Sequence, residues 1–146
     1  VTDAPRPTEL PDWLLDAYRA TEYRVMLPGG PLVLRIGQHS AGLASLMQAH
    51  GVTSVAYVTA CNPRSRVHDE AWNLRARSRL DACLDDGGWP CLEGLGIDPD
   101  GGHPGEPSVL VLGIAPGEAE ALARAFDQDA IVVAGPEATP RLVLLR

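Results

Sequence analysis

The stretch SVAYVTAC at residues 54–61 is almost continuously apolar, and SVLVLGI at residues 108–114 repeats the pattern. A strand with one wet face alternates apolar and polar side chains, whereas an unbroken run marks a strand covered on both faces. Both segments are read as central strands of one sheet. Asn62-Pro63 ends the first. After the second, Pro116 opens a helix with Glu118 and Glu120 near its positive end and Arg124 near its negative end. Ala119, Leu122, Ala123 and Phe126 line its apolar face, and residues 130–134 return as a strand. Strand, helix and strand over 108–134 make a βαβ unit, so its two strands should run parallel.

The rest of the chain adds elements around this centre. Pro11 fits the first turn of a helix carrying Leu14, Ala17 and Tyr18. Residues 23–27 and 32–36 alternate about Pro28-Gly29-Gly30 and predict a hairpin. Residues 41–50 form a helix on Leu43, Leu46 and Met47, stopped by Gly51. The longest helix spans 69–86, with Trp72, Ala76, Leu80, Cys83 and Leu84 inward. An irregular strand at 89–97, a loop at 98–107 and a last strand at 142–145 complete the order α-ββ-α-β-α-β-β-α-β-β. Residues 1–9 read as a Pro-rich arm. The expectation is one α+β domain over 10–146: a mixed, mainly antiparallel sheet with helices packed on it.

Composition narrows the function. The net charge is −7 in 146 residues, and all twelve basic residues are arginine. An acidic chain opposes nonspecific nucleic-acid binding and anionic membrane surfaces. The absence of lysine removes P-loop, Schiff-base and pyridoxal chemistry. No apolar run approaches the ~18 residues of a membrane span. Cys61, Cys83 and Cys91 form no CxxC pair and are read as free, mostly buried thiols in a reducing bacterial cytoplasm. The first residues hold no basic start or apolar core of a signal peptide.

Most motif-like segments fail on spacing. Residues 37–42, GQHSAG, are one residue too long for a nucleophile elbow. GLGIDP at 94–99 lacks the third glycine and the helix of a dinucleotide fingerprint. DPDG at 98–101 lacks the further oxygen ligands of a calcium loop. His39, His50, His68 and His103 are scattered, so no metal, and no other cofactor, is expected. Cys61 and His68 are seven residues apart, but a buried strand cysteine is the better reading than a nucleophile.

Residues 59–79 differ. Asn62 and Ser65 lie where a buried strand leads into a helix, and Asp69, Asn73 and Arg77 form an i, i+4, i+8 stripe on that helix. Strand ends next to helix starts are where α/β proteins place ligands. The same residues also fit a structural account, in which Ser65 or Asp69 caps the helix and Arg77 pairs with Asp81. Glu106 and Gln128 precede strands 108–114 and 130–134. If strand 54–61 runs antiparallel to both, Asn62, Ser65, Asn73, Arg77, Glu106 and Gln128 should meet at one sheet edge.

Segments spread over residues 13–135 carry a family resemblance. They are Leu14 to Thr21, Thr59-Ala60-x-Asn62-Pro63-x-Ser65 with Asn73 and Arg77, Glu106-Pro107-Ser108, Leu112-Gly113-Ile114 and Phe126-x-Gln128-x-Ala130. As a set they resemble the bacterial domain-of-unknown-function family 3293. The family more often has Trp at position 61 and Asn at 129. The first departure argues further against Cys61 as a nucleophile, and the second counts against a role for Asp129. The resemblance implies a small bacterial cytoplasmic protein and supplies no activity.

Three functions are therefore carried forward. The first is a module binding a small molecule or anion through Asn62, Ser65, Asn73, Arg77, Glu106 and Gln128. The second is a protein-interaction or regulatory module, presenting to an acidic partner the Arg-rich segment Arg64, Arg66, Arg75, Arg77 and Arg79. The third is an enzyme, for which Glu106 and Glu70 are the plausible general bases near these motifs and Glu106 is the one chosen.

Overall fold

A computed structural model describes residues 8–101 and 105–146. The expected arm at 1–9 and the middle of the expected loop at 98–107 fall largely outside them. The helices are α1 (Asp12–Ala20), α2 (Ala41–His50), α3 (Glu70–Gly87) and α4 (Pro116–Ala125). The strands are β1 (Glu22–Leu27), β2 (Gly30–Leu34), β3 (Val55–Val58), β4 (Cys91–Ile97), β5 (Glu106–Leu112), β6 (Ala130–Ala134) and β7 (Arg141–Leu144). The element order is the expected one, and the class is α+β.

The strands form one sheet in the order β2-β1-β4-β5-β3-β6-β7. Every strand pair among the described residues is antiparallel. The expected βαβ unit is present in a modified form. β5 and β6 do run parallel, but β3 inserts between them and pairs antiparallel with each. No parallel ladder is needed, although the α4 crossover is kept.

Residue alternation on β3 and β5 divides the core. Ala56, Val58, Val109 and Val111 face α3 and α4, meeting Ala76, Leu80, Leu84, Ala119 and Ala123. Tyr57, Val55, Leu110 and Leu112 face the other way, onto Leu43 and Met47 of α2 and onto Tyr23 and Val25 of β1. This two-sided cover is why neither run could tolerate polar alternation. The ends of α2 follow local chemistry: Ser40 accepts the Leu43 N–H at 3.0 Å, and Gly51 takes the left-handed conformation with φ 66°.

Two expectations are corrected. Cys83 and Cys91 are exposed, and Cys61 alone of the three is buried. The buried stripe of α3 runs Ala76, Leu80, Leu84, and each four-residue step turns it away from Cys83. Cys91 opens β4 at an exposed end. The loop expected to 107 gives way to strand at Glu106, because Glu106 and Pro107 pair with Gly96 and Leu95. A proline is tolerated here since the β3 ladder has already ended at Val58–Val109. The Pro107 carbonyl instead accepts the Thr59 hydroxyl at 2.9 Å.

Candidate functional site

The antiparallel placement of β3 brings its carboxyl end to the edge where β5 and β6 begin. Beyond Val58 the chain turns through Asn62, Arg64 and Ser65, all with left-handed φ of 48°, 55° and 58°. For asparagine this is common; for arginine and serine it is a strained choice. Hydrogen bonds hold it in place. The Asn62 N–H donates to Asn73 Oδ1 at 3.0 Å, and Asn73 Nδ2 returns a bond to Asn62 Oδ1 at 3.1 Å. The His68 N–H also donates to Asn62 Oδ1, and the Arg64 N–H donates to the Asp127 carbonyl at 2.8 Å.

Asn62 Nδ2 then reaches Glu106 Oε1 at 3.4 Å. Burial drives the Glu106 pKa up to about 7, and the Asn62 hydrogen bond offsets this only in part. The residue keeps some exposed surface, so its carboxyl is desolvated yet reachable. No cation pairs with it among the described residues. A carboxyl poised between acid and carboxylate near neutrality can accept or return a proton.

Gln128 is buried and donates from Nε2 to the Cys61 and Phe126 carbonyls. The resemblance counts against a role for its neighbour Asp129, yet Asp129 is 2% exposed and bonded at this corner. Ser65 Oγ donates to Asp129 Oδ2 at 2.6 Å, which leaves the Tyr18 hydroxyl, 3.1 Å away, to donate to Ser65. Arg146 Nε stands 2.6 Å from Asp129 Oδ1, an ion pair without hydrogen-bond alignment, so Oδ1 accepts no directed bond. Burial raises the Tyr18 pKa, and the charges of Asp129 and Glu106 raise it further. Tyr18 and Asp129 are the residues that sequence reading missed. Both lay inside or beside quoted segments, but their partners are 47 and 64 residues away in the chain.

Five of the six expected residues thus lie at this edge in three separate hydrogen-bonded groups: Asn62 with Asn73 and Glu106, Ser65 with Tyr18 and Asp129, and Gln128 on the Cys61 and Phe126 carbonyls. Arg77 does not join them. Its guanidinium donates to Asp81 at 2.8 Å and to Glu93. It lies in a separate cleft of about 330 Å³ with Asp81, Asp85 and Glu93, where an anion would meet three carboxylates. Asp69 caps α3 through the Trp72 N–H at 2.7 Å, as the structural account expected. Cys61 Sγ faces the Pro107 carbonyl at 3.7 Å, and burial raises its pKa, so the thiol stays protonated. His68 stacks on Trp72 with ring centroids 4.1 Å apart.

The family model for a protein of unknown function, DUF3293, matches residues 58–131, just over half of the chain. The chain belongs to this family. The DUF3293 segment contains Asn62, Ser65, Asn73, Glu106, Gln128 and Asp129, so the polar corner is built mostly inside it. Tyr18 and Arg146, like the quoted segment Leu14 to Thr21, lie outside the match. No curated protein and no solved structure matches the chain. No helix among the described residues is long and apolar enough to cross a membrane.

Proposed function

We propose that this DUF3293 chain binds a small polar ligand at the corner formed by Glu106, Asn62, Ser65 and Tyr18. The observation that carries the reading is the Glu106 carboxyl, desolvated and, among the described residues, without a cation and held by one long hydrogen bond. Such a group costs folding stability, and it stands beside a strained loop that adds to the cost. Both are accounted for if a ligand supplies the missing partner. The ligand class is a molecule with an N–H or O–H donor for Glu106. The test is a thermal-shift screen of metabolites and nucleotides against wild type and Glu106→Gln. A compound that raises the wild-type melting temperature and leaves the variant unmoved supports the reading. Equal shifts in both, or none across the screen, reject it.

Two further readings have their own support. The near-neutral Glu106 suits a general base, so turnover of any ligand found should be measured. Exposed Arg75 and Arg79 with Val67 and Leu74, 88% and 61% exposed, suit an acidic protein partner. A bacterial cytoplasmic setting belongs to the same proposal, and three free thiols support its reducing side.

A further inference from the structure

We propose that the cleft between the 62–65 loop and the end of α4 is a site for a small tetrahedral oxyanion of the phosphate class. It is lined by Arg64, Arg124, Asp127, Gln128, Leu145 and Arg146 and encloses about 160 Å³. Pockets for drug-sized ligands run to roughly 300–1,000 Å³. This one suits an ion or a single head group. The inference is independent of the Glu106 reading, since neither Glu106 nor Asn62 lines the cleft.

Charge is the first argument. A chain of net charge −7 gathers three guanidiniums here, and Asp127 is the one carboxylate of the lining, while Glu120 and the buried Asp129 stand behind Arg124 and Arg146 outside it. Donor capacity is the second. Arg64 is 4.0 Å from Asp127, and Arg124 is 3.8 Å from Glu120, both at the outer limit of an ion pair. Arg146 turns Nε toward Asp129, which leaves its two Nη groups. No side-chain N–H of these three arginines makes a directed hydrogen bond among the described residues. By contrast, Arg24, Arg35 and Arg77 donate to Glu22, Asp81 and Glu93. Guanidinium forks match the oxygens of phosphate with paired, charge-assisted bonds. Asp127 is 63% exposed in its side chain, so an incoming anion can displace it into water.

Positioning is the third argument. The backbone N–H of Arg64 is tied to the Asp127 carbonyl at 2.8 Å, and both residues hold left-handed φ, 55° and 54°. Two strained turns are thus bonded together at the cleft. Arg124 comes from the last turn of α4 and Arg146 from beyond β7, so three remote parts of the chain converge only in the native state. An anion bridging them stabilises the fold by mass action.

The test is a thermal-shift and calorimetric titration of the full chain with inorganic phosphate, against chloride at matched ionic strength. Phosphate should raise the melting temperature saturably. In the Arg64→Gln/Arg124→Gln double variant the apparent affinity should fall at least tenfold. Both side chains are more than half exposed, so the variant should fold, with circular dichroism as the check. If it does not, each single variant carries the test. Arg77→Gln should bind as wild type. Phenyl phosphate separates the sources: tighter binding than inorganic phosphate assigns the site to a phosphomonoester head group, and equal binding assigns it to the free anion. A phosphate response equal to chloride, or one retained in the arginine variants, overturns the proposal.

Discussion

A carboxyl moved out of water by folding holds its proton more tightly in the native state than in the unfolded chain. Glu106 is such a group, raised from 4.5 to about 7 by burial. Between those values the unfolded chain loses the proton while the native state keeps it. The contribution to stability is therefore complete below about pH 4.5 and is lost as pH rises through 7. Glu106→Gln never ionises. It should match wild type at pH 4 and exceed it at pH 8 by on the order of 1–3 kcal/mol, after allowance for water at the exposed part of the side chain. Urea unfolding at the two pH values checks this, and a difference independent of pH would show an ordinary carboxyl. Arg77 gives the opposite kind of case. Its partners Asp81 and Glu93 are 52% and 65% exposed in their side chains. They regain water when it is removed, so Arg77→Ala should cost no more than about 1 kcal/mol by chemical denaturation. A loss well above that would mark the pair as a structural anchor. The sequence showed Arg77 beside Asn73 on one stripe and Asp81 four residues on. It had no means of showing Glu93, which arrives from β4 and completes the neutralisation.

At the scale of elements, Gly94 on β4 shows how tightly the tyrosines pack behind the site. A Cβ at this position would stand 2.7 Å from Tyr57 Oη and 2.8 Å from Cε2. Tyr57 is 5% exposed, stacks edge-on against Tyr23, and donates its hydroxyl to the Arg24 carbonyl at 2.9 Å. The ring has no free direction in which to move. Gly94→Ala should therefore destabilise by about 1–3 kcal/mol, read as a lower melting temperature. An unchanged value would mean that β4 shifts without cost. Element order was legible because turns and apolar periods punctuate this chain clearly. Boundaries were less so. The start of β5 at Glu106 depends on pairing with Gly96, a contact that acidic, Gly- and Pro-rich local sequence argues against. The exposure of Cys83 depends on how α3 rolls on the sheet, which four-residue drift decides and composition does not.

For the whole molecule, the convergence of Asn62, Glu106 and Gln128 was legible only as a conditional statement about strand direction. Apolar runs identify central strands, but the direction of β3 is set by which neighbours it joins. Insertion of β3 between β5 and β6 makes the condition true. The arginine cleft was not legible, since Arg64, Arg124 and Arg146 share no period, element or motif. The same topology predicts how stability is distributed. β5 is the middle strand of seven and β3 its neighbour, both bonded on two sides and covered on two faces. β2 and β7 are edges bonded on one side. Opening β3 or β5 exposes both halves of the core, so their amides should exchange only through global unfolding. Edge amides exchange through local opening as well. Native-state hydrogen exchange should therefore find the slowest amides at Ala56 to Val58 and Val109 to Leu112, with β2 and β7 faster. Protection in β2 equal to that in β3 would mean that the sheet opens as one unit. On the expected order, Asn62 and Glu106 hang from the ends of the two most protected strands. The strained loop that begins at Asn62 is then held in place by the part of the fold least able to relax it.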